Sequence, residues 1–84
     1  MKATLKLFAT LTAHLPAQNR RAGRVQLELA PQTTVKDVIE QQRLPPPLCA
    51  LVLVNGVFVG PAQWGDRVLV EGDVLAIWPP VGGG

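Results

Sequence analysis

Only one stretch of this chain spaces its apolar residues for a helix, and strand-like patterns flank it on both sides. In TTVKDVIEQQRL, residues 33–44, Val35, Val38, Ile39 and Gln42 share one stripe, while Lys36, Asp37, Glu40 and Gln41 lie elsewhere. Thr34, three residues before Asp37, supplies a capping-box start, and the run Pro45-Pro46-Pro47 stops the helix because a residue before proline disfavours helical angles. A chain with one helix has no means of covering both faces of a sheet with helices, which excludes the doubly wound architectures.

The remaining segments read as strands. In KATLKLFA, Ala3, Leu5 and Leu7 alternate with Lys2, Thr4 and Lys6, and in RVQLELA, Val25, Leu27 and Leu29 alternate with Arg24, Gln26 and Glu28. These two segments are expected to pair as an antiparallel hairpin across LTAHLPAQNRRAG, which reads as a polar connector. CALVLVNGVFV is apolar at nearly every position, which predicts a strand covered from more than one side. Its Asn55-Gly56 tolerates positive φ at both central positions of a tight hairpin turn. After Gly60-Pro61 come a short apolar patch, a Glu71-Gly72-Asp73 turn and a last strand from about Val74 to Trp78.

The order strand, strand, helix, strand, short strand, strand predicts an α+β domain: a four- to five-stranded mixed sheet with the helix across one face and the other face partly exposed. A β-grasp arrangement, with the first and last strands side by side in the middle, fits this order. The predicted division is a domain over residues 1–78 and a flexible, extended glycine tail over 79–84.

The 84 residues amount to one domain, and 48% hydrophobic against 17% charged residues is ample for a single core. The net charge is +2, and its one cluster, Arg20, Arg21 and Arg24, reads as a solvated loop with too few interleaved aromatics for a nucleic-acid patch. Cys49 is the single cysteine and His14 the single histidine, which leaves little for a metal centre, a disulfide or a Cys–His nucleophile. Cys49 itself reads as a small buried hydrophobe. Asp37 and Glu40 read as solvated helix surface, and Glu71 and Asp73 as turn residues. No metal site, nucleic-acid partner or membrane span is expected, and a cytoplasmic, non-catalytic protein is.

The end of the chain, IWPPVGGG, carries the most specific signal. Pro79-Pro80 lacks the N–H groups a sheet ladder needs, so the last strand must end by Trp78. The six residues beyond it can span ~20 Å when extended. Gly82, Gly83 and Gly84 strip that segment of side chains, so it is thin enough to thread a channel in another protein and presents only the α-carboxylate of Gly84. A carboxylate must be activated, for example by adenylation, before anything can be attached to it. A terminal glycine run also describes a frayed end.

LFATL, VLVNG and above all LVEGDVLAIWPPVGGG resemble the ubiquitin-like sulfur-carrier family that includes the small subunit of molybdopterin synthase (MoaD) and the thiamine sulfur carrier (ThiS). The resemblance spans nearly the whole chain and implies a β-grasp fold. It further implies that a MoeB- or ThiF-like enzyme, using ATP, adenylates Gly84, and that a sulfur donor protein converts the acyl-adenylate to a thiocarboxylate. No cofactor is bound by the carrier itself. Gly83 and Gly82 would pass a partner's channel, Val81, Pro80 and Pro79 would seat the base of the tail, and Phe58 and Trp78 are candidates for the partner surface or, equally, for the core. PPVGGG after an aromatic strand is similar to the molybdopterin branch, whose partner is a MoaE-like large subunit. VNGVFVGPAQW is similar to the thiamine branch, whose partner is thiazole synthase. Related roles in tungsten-cofactor synthesis, other sulfur transfer or protein modification share the same tail.

Overall fold

The structure is a computed structural model and describes residues 1–80. Five strands form one sheet: β1 (Lys2–Leu7), β2 (Arg24–Glu28), β3 (Leu51–Val54), β4 (Val57–Phe58) and β5 (Val74–Trp78), in the order β2-β1-β5-β3-β4. The first and last strands lie side by side at the centre and run parallel, Leu5 opposite Leu75 and Leu7 opposite Ile77. β1 pairs antiparallel with β2, Lys2 opposite Glu28 and Lys6 opposite Arg24, in the hairpin the alternation predicts. This is the mixed α+β sheet expected from the element order.

Period two then sorts the side chains. Leu5, Leu7, Val52, Val54, Leu75 and Ile77 all point to one face and are almost wholly buried beneath the helix α1 (Val35–Gln41). Each such aliphatic side chain contributes ~2 kcal/mol by leaving water. The helix answers with Val35, Val38 and Ile39. Its start is the expected capping box: the Asp37 N–H donates to the Thr34 hydroxyl at 3.1 Å, and the Thr34 N–H donates to the Asp37 carboxylate at 3.0 Å.

The helix stops before the prolines, and for a different reason. Arg43 adopts φ +56°, the Leu44 N–H donates to the Ile39 carbonyl, and the Arg43 N–H donates to the Glu40 carbonyl, both at 3.0 Å. These bonds satisfy two otherwise orphaned carbonyls and bury Leu44 against the core, the Schellman closure usually made with glycine.

Two further segments differ from the reading of the sequence. The connector after β1 is not simply polar: Ala9–His14 winds as a 3₁₀ turn and sends Leu11 and Leu15 fully into the core. The patch at Arg67–Val70 forms no sheet strand. Val68 makes an isolated bridge to Thr34, and the Leu69 N–H donates to the Thr33 carbonyl at 2.8 Å, tying this segment to the start of the helix.

The turns follow their residues. Asn55 and Gly56 both have positive φ, 51° and 81°, closing the two-residue β3–β4 hairpin. Gly72 takes φ +85° in the turn before β5, and the Asp73 N–H donates to the Val70 carbonyl across it. The buried Asp73 carboxylate accepts from the Val70 N–H at 2.9 Å and from the Asn55 amide at 2.8 Å, locking this turn to the hairpin on the other side of β5.

Arg43 carries a side chain in a conformation that suits glycine. Arg43→Gly is expected to raise the melting temperature by about 2–6 °C, from a gain of roughly 0.5–1 kcal/mol, read by calorimetry.

Candidate functional site

The candidate site begins where β5 stops. The strand is held on both sides up to its last residues: the Phe8 N–H donates to the Ile77 carbonyl at 3.3 Å, and the Ala50 N–H donates to the Trp78 carbonyl at 3.0 Å. Leu51 opposite Trp78 is the last register pair with β3. Pro79 then follows half-buried and Pro80 exposed. The ladder ends at the residue where proline withdraws its donor, so the chain leaves the sheet from a rigid, doubly anchored point.

That exit lies on the sheet face opposite the helix. Alternation sends Trp78, Ala76, Leu51, Leu53 and Phe58 to this side, in register across β5, β3 and β4. Phe8, the first residue after β1, lies flat on Trp78, with ring centroids 4.0 Å apart and planes 5° from parallel. Phe58 is 58% exposed and Leu51 39%. The two-sided apolar character of the third strand therefore has a simple cause. Val52 and Val54 face the core, while Leu51 and Leu53 face an apolar surface that no element among the described residues covers.

Among the residues singled out from the sequence, the structure places Phe58, Trp78, Pro79 and Pro80 together on or beside this face, and neither aromatic belongs to the core beneath the helix. Val81, Gly82, Gly83 and Gly84 lie outside the described residues. Sequence reasoning missed Phe8, Leu51 and Leu53. The alternation of Leu51 and Leu53 with two buried valines was a usable signal, whereas the Phe8–Trp78 stack depends on pairing between the two ends of the chain.

Among the described residues, neither the cysteine nor a metal-ligand cluster offers a rival centre for chemistry. Cys49 is buried, its thiol donates to the Pro45 carbonyl at 3.6 Å, and burial raises its pKa above the ordinary thiol value. Little of it is thiolate near neutrality, so it is poorly suited to sulfur chemistry. Among the described residues, no three His, Cys, Asp or Glu side chains come together as metal ligands, and no helix is long and apolar enough to cross a membrane.

The model of the ThiS family matches residues 13–84. No curated protein sequence matches the chain. Among solved structures, the chain is similar to small archaeal modifier protein 1 of Haloferax volcanii, with 24% identity, a TM-score of 0.67, and 95% of this chain and 98% of that one covered. It is also similar to a putative molybdopterin converting factor subunit 1 of Pyrococcus furiosus, with 24% identity, a TM-score of 0.65, and 96% and 99% covered. A third is the complex of subunits 1 and 2 of the molybdopterin-converting factor of Helicobacter pylori, with 16% identity, a TM-score of 0.60, and both chains fully covered. At these identities the structural likeness establishes the fold.

Because its thiolate fraction is small and its access restricted, native Cys49 is expected to react with iodoacetamide at pH 7 at least about tenfold more slowly than in urea. Peptide mass mapping of the alkylated fraction over time reads this directly.

Proposed function

The chain belongs to the ThiS family of sulfur carriers, and we propose that it carries sulfur for molybdopterin synthesis on the carboxyl carbon of Gly84. The observation that carries this reading is the placement of the tail's root. β5 is clamped from both sides as far as Trp78 and releases the chain at the rim of an exposed apolar face. An enzyme acting on the tail would find a docking surface and a fixed point of departure together. The family match runs through residue 84, which supports a functional tail rather than a frayed end.

The chemistry then belongs to the partners. A Gly84 carboxylate oxygen attacks the α-phosphorus of ATP in a MoeB- or ThiF-like enzyme, and pyrophosphate leaves. Hydrosulfide delivered by a donor protein attacks the acyl carbon, its C–S bond forms as the C–O bond to AMP breaks, and a thiocarboxylate remains. The carrier contributes positioning: Phe58, Trp78, Phe8 and Leu51 dock, Pro79, Pro80 and Val81 project the tail, and Gly82 and Gly83 pass a narrow channel. Entropy favours this division, because a tail rooted beside the docked face searches a small volume for the active site.

The molybdopterin assignment, with a MoaE-like large subunit as acceptor, is supported by PPVGGG after the aromatic strand and by the likeness to converting-factor subunit 1. Delivery to thiazole synthase is the second reading, supported by the VNGVFVGPAQW segment. Attachment to other proteins is a third, supported by the likeness to the archaeal modifier.

Incubation with the adenylating enzyme of the same genome, ATP and a sulfur donor is expected to add the mass of one sulfur in place of one oxygen at the C-terminal peptide. Deleting Gly83 and Gly84 is expected to abolish that gain while leaving the melting temperature unchanged. The loaded carrier should then convert a pterin precursor in the presence of the large subunit. Turnover only with thiazole synthase, or slower-migrating conjugates in place of the thiocarboxylate, would assign the second or third reading instead.

A further inference from the structure

Beside the apolar face lies a cleft of about 370 Å³ formed by the end of β1, the 3₁₀ turn after it and the loop entering β2. Four cations line it, Lys6, Arg20, Arg21 and Arg24, and no acid does. They are half of the eight Lys and Arg residues in the chain. Two come together by fold alone: Lys6 and Arg24 are directly opposite on β1 and β2. Like charges at such a position destabilise a strand pair unless something neutralises them. The ion pairs among the described residues, Met1 with Glu28 and Arg67 with Asp73, lie elsewhere.

The cleft is also pre-shaped. The Arg20 Nε donates to the Leu15 carbonyl at 3.0 Å, holding the guanidinium in place. Gly23, at φ +73°, brings the arginine loop against β1, where the Leu7 N–H donates to its carbonyl at 2.9 Å, and a Cβ there would meet the Leu7 carbonyl at 3.3 Å. The cations are continuous with the apolar face: Arg24, Lys6, Ala76, Leu53 and Phe58 form one row of register partners from edge to edge of the sheet.

We propose that this cleft receives Asp and Glu side chains of the enzyme that adenylates Gly84, acting as the charged rim of the apolar docking face. The inference rests on the sulfur-carrier reading above. Arg20, Arg21 and Arg24 are exposed to water and Lys6 is half-buried, and pairing of exposed cations with a small free anion gains little. A protein surface that covers the adjoining apolar face removes that water at the same step, and ion pairs at its edge strengthen and steer association. An acidic partner surface also relieves the opposition of Lys6 and Arg24, which the free protein leaves uncompensated among its described residues.

Arg24→Glu tests this without endangering the fold, since it places a carboxylate opposite Lys6. In steady-state pyrophosphate release by the adenylating enzyme at low salt, the variant is expected to raise the KM for the carrier at least about tenfold, with kcat within about twofold. Its melting temperature should not fall. Lys36→Glu, the same change of charge on the helix side of the molecule, should leave KM within about twofold, and added salt should raise the wild-type KM more steeply than that of Arg24→Glu. An unchanged KM for Arg24→Glu, with normal wild-type turnover, overturns the cleft as a partner site and leaves the carrier reading standing. Equal effects of both variants would mean that net charge alone matters, which also overturns it. Loss of retention on single-stranded RNA with KM unchanged would assign the cleft to nucleic acid and overturn it as well. Wild-type protein that releases no pyrophosphate removes the carrier reading, and this inference with it.

Discussion

The parallel pairing of β1 with β5 is the interaction on which the rest depends. It joins segments from opposite ends of the chain, so the rest of the core must offset the entropy of closing that long loop, and it occupies the middle of the sheet. Leu5, Leu7, Leu75 and Ile77 meet along this seam and make the floor of the core on which the helix lies. The same seam fixes where the chain leaves the sheet. Because β5 has a partner on either side, Trp78 is held by its neighbours, and the proline beyond it ends this central strand within one residue.

Two faces of one sheet thus acquire different duties from one alternation. Residues of odd number in β1 and β5 face the core, and their neighbours face outward. On β5 and β3 those outward neighbours are apolar, whereas on β1 and β2 they are polar or charged. A surface graded from aromatic to cationic follows across the sheet, with the root of the tail at its aromatic end. An exposed apolar patch is a liability unless something covers it, and its position beside the end of β5 suits the docking role proposed for it.

Much of the fold was legible because its signals are local. Alternation marked β1 and β2, Thr34 and Asp37 marked the helix start, and Asn55-Gly56 marked a hairpin. What escaped was what pairing decides. Arg43 closes the helix in a glycine-like conformation with no glycine to announce it, and Leu11 and Leu15 reach the core from a segment whose composition is polar. The short apolar patch near Val68 looked like a strand, but its hydrogen bonds go to Thr33 and Thr34. At the site, the prolines marked where β5 ends, while the glycines lie outside the described residues. The placement of Phe58 and Trp78 could not be read, since an aromatic in an apolar strand suits either face. The arginine cluster reads as solvated loop, and Arg20, Arg21 and Arg24 are exposed, but Lys6 lies far away in sequence and joins them only through the β1–β2 register.

The central claim is that the open sheet face, and not the helix face, receives the enzyme that acts on Gly84. Backbone amide and side-chain NMR of the labelled protein, titrated with the adenylating enzyme, tests it most directly. The account predicts that perturbation concentrates on Phe8, Leu51, Leu53, Phe58, Ala76 and Trp78, with Lys36 and Glu40 on the helix unaffected. Perturbation centred on the helix, with the Phe8–Trp78 pair unchanged, would contradict it.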